Sequence, residues 1–283
     1  MTAKPRETAT QCPLCEHSSR AVLTLAHARV WQCTNDRCGL QFADPQLNEE
    51  ELARAYTKLY YPANGSKEGI CFDNTPEETF YQLFQKLEAR IGSLKGRRVL
   101  DYGCGRGVLL RVAAQFGLQV SGIESDPEAR SVAAAACNAS VYPSVNELLN
   151  ARPNSSFDLI IIWTVIEHLR CPWKELEDLR HLLEKRGLLL ISTMDIRCLR
   201  ARLERHRWHN YKNPTHLYYF DRVSLGRAID RAGFKSFSEW RLRFRHPCHG
   251  PLRYWAYTLS HKLHLSDGLF YVCGEGVEPE TRS

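Results

Sequence analysis

The stretch Val99-Leu100-Asp101-Tyr102-Gly103-Cys104-Gly105-Arg106-Gly107-Val108-Leu109-Leu110 constrains this chain more than any other. An apolar entry, an acid, three glycines on alternate positions and an amphipathic run predict a strand, a tight turn and a helix. Glycine lets the backbone take positive φ and lets a ligand come into van der Waals contact. A helix that starts there turns its first amide N–H groups on whatever occupies the turn. The pattern is D-x-G-x-G-x-G, not the G-x-G-x-x-G of dinucleotide folds, because the sixth position from Gly103 is Val108. No G-K-[ST] follows, so the phosphate cradle of a P-loop is missing as well. An acid ahead of the glycines, Asp101, repels a pyrophosphate and suits a cationic amino-acid moiety.

The sequence beyond the turn continues in the same style. Gly117 follows the helix as a natural left-handed stop, and Leu118 to Ile123 predicts a second strand that ends in Glu124-Ser125-Asp126-Pro127. An acid there is placed to accept hydrogen bonds from both hydroxyls of a ribose. Pro127 suits the first turn of the next helix, to about Cys137. A short strand over Ser140 to Tyr142 comes next, then the continuous apolar run Phe157 to Trp163, as expected of a central parallel strand buried on both faces. Leu188 to Thr193 predicts a fifth strand. Strands alternating with helices imply a doubly wound α/β sheet.

The Asp101 to Gly107 turn with Glu124 resembles motif I and its sequel in the class I S-adenosylmethionine (SAM) methyltransferases. That resemblance implies a Rossmann-like seven-stranded sheet with an antiparallel last strand, here Leu269 to Cys273. It implies a SAM site formed by Asp101, Gly103, Cys104, Gly105, Glu124, Ser125 and Trp163. Glu124, Asp158 and the loops carrying His168 and His216 then outline the pocket, while Cys104 reads as a small packing residue rather than a nucleophile.

Four of the eleven cysteines stand apart. Cys12 and Cys15 are followed, after seventeen residues, by Cys33 and Cys38, and two short cysteine loops of this kind deliver four thiolates to a tetrahedral Zn²⁺. His17 is an alternative ligand, and four free thiols or a surface disulfide is the plainer reading. The remaining cysteines read as reduced thiols of a cytoplasmic protein. Together with Leu40 to Pro45, the segment Leu59 to Pro62, and Trp208 to Phe220, the paired cysteines resemble a bacterial group of zinc-ribbon methyltransferases that modify sugars, lipids and secondary metabolites. The expected organisation is a zinc ribbon over 1–45, a helical lid and linker over 46–92, and a methyltransferase domain over 93–283 with a helical insertion near 246–265. Tyr60 and Tyr61 are candidates to close over the cofactor or to anchor the linker.

Ligands of such sheets sit at the carboxyl ends of the strands. The loops after the fourth and fifth strands carry His168, at the start of a helix, and His216, and a histidine with a pKa of about 6.5 suits removal of an acceptor proton. Glu167 is positioned to orient a ring or bind the acceptor. Each histidine equally fits a satisfied buried packing role.

Between Arg197 and Lys262 fifteen Lys/Arg face four Asp/Glu, and the whole chain carries +6. That balance admits an anionic partner, yet Arg241, Arg243 and Arg245 alternate with Leu242 and Phe244, the pattern of one solvated face of a half-buried strand over Trp240 to His246. Methylation of a small-molecule acceptor on oxygen or carbon is therefore the leading expectation. RNA methylation using the ribbon and the basic region, and a SAM-binding scaffold without turnover, are the alternatives. The sequence carries no apolar run of about 18 residues to span a membrane and no apolar core of a signal peptide near Met1. Oligomeric state is not legible.

Overall fold

The computed structural model describes residue 9 and residues 11–60, 75–244, 268–275 and 277. At its centre β7 (Phe157–Trp163) lies between β4 (Arg98–Tyr102) and β8 (Leu183–Met194), both parallel to it. Leu159, Ile160, Ile161 and Ile162 are all buried, because neighbours on both sides and helices on both faces leave the strand no wet surface. β5 (Gln119–Ile123) and β6 (Ser140–Tyr142) extend one edge in parallel. β11 (Gly268–Cys273) enters antiparallel beside β8, and β10 (Phe237–Glu239) pairs with it in turn. The order is β10-β11-β8-β7-β4-β5-β6, the doubly wound sheet expected, with its reversed last strand.

The helices carry the start and stop signals that the sequence announces. α3 (Val108–Gln115) begins after Gly107 at φ 81 and is followed by Gly117 at φ 75. α4 (Pro127–Cys137) is capped by Asp126, whose side chain accepts from Ala129 N at 2.9 Å, a contact that satisfies an orphan amide. α5 (Val145–Ala151) is capped by Ser144, and α6 (Pro172–His181) starts on its proline. α7 (Leu199–Glu204) is short, and α8 (Arg222–Arg231) opens with a reciprocal capping box between Asp221 and Ser224. Ahead of the sheet stand α1 (Glu49–Tyr60) and α2 (Glu77–Ile91); α2 buries Phe80, Leu83, Phe84 and Leu87.

The N-terminal strands β1 (Ser19–Thr24), β2 (Arg29–Cys33) and β3 (Gln41–Asp44) form an antiparallel sheet. Its fourth strand comes from far down the chain: β9 (Tyr218–Tyr219) pairs with β3 through Gln41↔Tyr219 and Phe42↔Tyr218. Cys12, Cys33, Cys38, Leu40 and Phe42 consequently share one buried cluster with Leu217, Tyr218 and Phe220.

Three expectations need correcting. Trp240 to Phe244 is not a strand: Trp240 N still bonds Phe270 O at 2.8 Å, but Leu242 N bonds Trp240 O at 2.8 Å, which bends the chain out of the ladder there. The alternation survives, with Trp240, Leu242 and Phe244 buried and Arg241 and Arg243 exposed. His168 ends a single 3-10 turn over Ile166–His168 instead of opening a helix, since α6 starts only at Pro172. Asp158 sits at the amino end of β7, where its Oδ2 accepts from Arg98 N at 2.8 Å, and has no part in the pocket. The Tyr60 side chain, Tyr61 to Ser66, Arg245, His246 and the helix expected over 251–265 lie outside the described residues.

Candidate functional site

The carboxyl ends of β4, β5, β7 and β8 open into one cavity of about 1160 Å³. That exceeds what a single drug-sized ligand fills, roughly 300–1,000 Å³, and leaves room for two reactants side by side. Asp101, Gly103, Cys104, Gly105, Glu124, Ser125 and Trp163 all line it, and so do His168 and His216.

The glycine turn is shaped by contacts on both sides. Gly103, Gly105 and Gly107 hold φ of 81°, 53° and 81°. A Cβ on Gly103 would stand 2.5 Å from Val165 Cγ2, so the loop after β7 wedges directly against the turn. Glu124 ties the turn to the end of β5: its Oε2 accepts from Gly105 N at 2.9 Å and its Oε1 from Asp126 N at 2.8 Å. A carboxylate has about four acceptor positions, so two backbone donors fix its plane and leave capacity for a diol. Asp101, only 3% exposed, brings a second buried carboxylate to the same wall, the complement of an ammonium group. These donors and acceptors fit the amino-acid and ribose parts of SAM. Cys104 turns its thiol toward the sheet, and a Cβ on Gly122 would meet that Sγ at 2.7 Å. The thiol is pushed up by burial, as for an inert packing residue. Trp163 stands in an aromatic wall, with Phe80 at 5.2 Å and Phe270 at 5.5 Å between ring centroids.

The other end of the cavity gathers Glu167, His168 and His216. Their local folding is unusual. Thr164 takes φ 54°, a left-handed value that is costly for a β-branched residue, and reverses the chain so that Glu167 and His168 point inward from a 3-10 turn. Thr215 O accepts from His168 Nδ1 at 2.9 Å, and Asn210 O accepts from His216 Nδ1 at 2.9 Å. A backbone carbonyl only accepts, so both rings are Nδ1–H tautomers when neutral and carry their lone pair on Nε2. The ring centroids are 4.7 Å apart. Burial pulls His168 down to about 4, and burial together with His168 lowers His216 well below its ordinary range. Glu167 is fully buried and pushed up to about 7 by the same loss of water. Its Oε2 accepts from Thr193 Oγ1 at 2.9 Å, while its Oε1 has no hydrogen-bond partner among the described residues. One ligand atom from each of the three lies within 4.8 Å of the others.

The four cysteines also converge, with Sγ atoms within 4.8 Å of one another. Cys12 and Cys38 are 3.8 Å apart and Cys15 and Cys33 are 3.4 Å apart; a tetrahedron with Zn–S arms of about 2.3 Å has edges of about 3.8 Å. The donor set and its spacing fit that metal. His17 is outside the group and its Nδ1 bonds Cys15 O at 3.0 Å instead. Four arginines of the basic region are engaged within the fold: Arg197 with Asp221, Arg200 with Glu204, Arg222 with Asp195 and Glu239, and Arg231 with the Pro13 and Leu14 carbonyls.

Sequence reasoning missed several residues of the cavity. Tyr56 on α1 stacks edgewise on His168 with ring centroids 5.4 Å apart, Phe80 comes from α2, and Thr193 and Asn210 hold the acid and one imidazole in place. Only the amphipathic spacing of α1 and α2 hinted at a face turned inward. Among the described residues no helix is long and apolar enough to cross a membrane.

Comparison with known proteins agrees with this geometry. Ubiquinone biosynthesis O-methyltransferases are similar over part of the chain. The one from Rhodopseudomonas palustris (strain TIE-1) is 30% identical over 117 residues, 40% of this chain and 46% of that protein. The one from Paraburkholderia phymatum is 34% identical over 107 residues, 36% of this chain and 46% of its own length. The match thus spans about half the length of these relatives. Among solved structures, the plantazolicin methyltransferase BamL, crystallised with a triazolic desmethylPZN analog and SAH, shares the fold at a TM-score of 0.52 and 15% identity, over 80% of this chain and 90% of that one. The model of the methyltransferase domain family matches residues 75–239, more than half of the chain, and the protein belongs to that family, with the class I SAM-dependent methyltransferase fold.

Proposed function

We propose that this protein transfers the methyl group of SAM to a hydroxyl oxygen of a small organic acceptor. The observation that carries this reading is the pair of neutral, buried histidines beside Glu167, in the same cavity as Glu124 and the glycine turn. The partial relatives are O-methyltransferases, which favours oxygen, and the SAH held by the structurally similar BamL favours the cofactor. Asp101 would take the cofactor's amino group and Glu124 its ribose hydroxyls. SAM supplies a methyl carbon activated by a sulfonium, and displacement there needs an acceptor oxygen about 3 Å away that gives up its proton. That proton goes to Nε2 of His168 or His216. Burial makes each ring a weak base, and Glu167 offsets this: as a carboxylate a few ångströms away in a dry site it stabilises the imidazolium that forms. The aromatic wall of Phe80, Trp163 and Phe270 suits a flat or apolar acceptor body. The ribbon over 1–45 with a structural Zn²⁺, the lid and linker over 46–92, and a catalytic domain from residue 93 belong to the same proposal.

A second reading follows from Oε1 of Glu167, which has no hydrogen-bond partner among the described residues. Two imidazole nitrogens and a carboxylate oxygen form a donor set for a divalent cation, which when bound would polarise the acceptor oxygen in place of a base.

The test is SAH titration by calorimetry, followed by SAH release from SAM in the presence of phenolic and sugar hydroxyl acceptors, with and without added Mg²⁺ or Mn²⁺. His168→Ala and His216→Ala are expected to lower turnover by about 10²–10⁴ with SAH affinity unchanged. No SAH binding below the millimolar range would remove the whole reading. Full activity of both variants would remove the base, and dependence on the added cation selects the second reading.

A further inference from the structure

The four-cysteine ribbon does not stand beside the acceptor site; it is built into the site's backbone. β9 is only two residues long, and among the described residues its ladder partner is β3 alone. Strands so short have no stability of their own, so Tyr218 and Tyr219 are extended because the ribbon sheet holds them. Leu217, the residue before, carries the connection onward. Its carbonyl accepts from Ala43 N at 2.9 Å, and its own N–H donates to Glu167 O at 2.9 Å. One residue therefore joins the ribbon to the turn that presents Glu167 and His168, and its neighbour is His216. A side-chain bond runs alongside, from Tyr211 Oη to Gln41 Oε1 at 2.8 Å. The cofactor turn is held differently, by Glu124 and by Val165 of the loop after β7.

We propose that the ribbon is a positioning element for the acceptor end of the cavity: with its metal bound, β3 fixes the 216–219 segment and thereby the separation of Glu167, His168 and His216, while the SAM end is held through Glu124 and Val165. A sheet of three short strands with little core of its own depends on its metal to fold, so metal occupancy at Cys12, Cys15, Cys33 and Cys38 sets the order of the acceptor end. The inference rests on the reading of that cavity as a SAM and acceptor site.

The experiment is amide hydrogen exchange on the full chain, zinc-loaded and zinc-stripped, together with SAH titration and the imidazole ¹⁵N spectrum of His216. Stripping is expected to speed exchange at 41–43 and 217–219 by about tenfold or more, and to broaden or shift the His216 Nδ1–H signal. Exchange at Gly105 and Asp126 and the SAH affinity should hold, and returned zinc should restore the loaded pattern. Gln41→Ala, which keeps all four cysteines, should raise exchange at 217–219 in the loaded protein. Faster exchange confined to residues 12–40, or loss of SAH binding on stripping alone, would overturn the proposal. Absence of SAH binding in the loaded protein would instead defeat the underlying reading of the cavity.

Discussion

Replacing Glu167 by Gln tests the electrostatics of the acceptor end without needing an acceptor. Glu167 is fully buried, and loss of water pushes its carboxyl from an ordinary 4.5 to about 7. A carboxyl whose folded value is raised binds its proton more tightly in the native state. Below about pH 4.5 both states are protonated and nothing is lost. As pH rises through the interval to 7 the unfolded chain ionises first, and folding stability falls by about 1.36 kcal/mol per pH unit. The full cost above pH 7 is about 3 kcal/mol. Gln does not titrate, so the variant escapes this cost. It keeps a carbonyl for the Thr193 hydroxyl and leaves a buried N–H₂ where Oε1 stood, an offset of about 1–3 kcal/mol that does not vary with pH. The informative quantity is thus a difference of differences. Urea unfolding of both proteins at pH 5 and pH 8, with one equivalent of zinc and no other divalent cation, should show Glu167→Gln gaining about 2.5 kcal/mol on the parent between the two pH values. His168 and His216 titrate in both proteins and largely cancel. An equal stability difference at both pH values would refute the claim that a desolvated, titrating carboxyl sits there.

Two further outcomes concern the cofactor end. Gly103→Ala combines a left-handed φ of 81° with a Cβ 2.5 Å from Val165. It should cost about 1–3 kcal/mol of stability and at least tenfold in SAH affinity, with Val165→Ala in the same chain recovering only the steric share; thermal unfolding and calorimetry read both. Glu124→Ala removes the acceptor of the Gly105 and Asp126 amides and should weaken SAH by roughly 10–100-fold, in line with hydrogen bonds to a charged group. A value within twofold of the parent would exclude Glu124 from the ribose site.

Much of this was legible in the sequence because it is written locally. The apolar run Phe157–Trp163 can only be a doubly covered strand, and Asp126-Pro127 announces a helix start in two residues. The cofactor turn is contiguous, and Glu124 follows at a spacing set by one helix and one strand. What stayed hidden is held by partners without a side-chain signature. The tautomers of His168 and His216 are fixed by the carbonyls of Thr215 and Asn210, which any residue could supply. Val165 against Gly103 and Tyr56 against His168 are contacts between distant segments. β9 leaves no strand signal in the sequence, since two residues carry no periodicity. The alternation over Trp240 to Phe244 announces burial but not hydrogen bonding, because exposure repeats with a period of two in any extended chain, paired or not.

The pairing of β3 with β9 also fixes an order of events in folding. Nearly the whole methyltransferase core lies, in sequence, between these two strands. A nascent chain exposes Leu40 and Phe42 long before Leu217, Tyr218 and Phe220 exist to cover them. Contacts this far apart close late and slow the search for the native state. Until the second strand is made, the first is an open edge able to pair with another chain. A fragment cut after α1 should therefore associate or aggregate rather than fold, even with its four cysteines loaded.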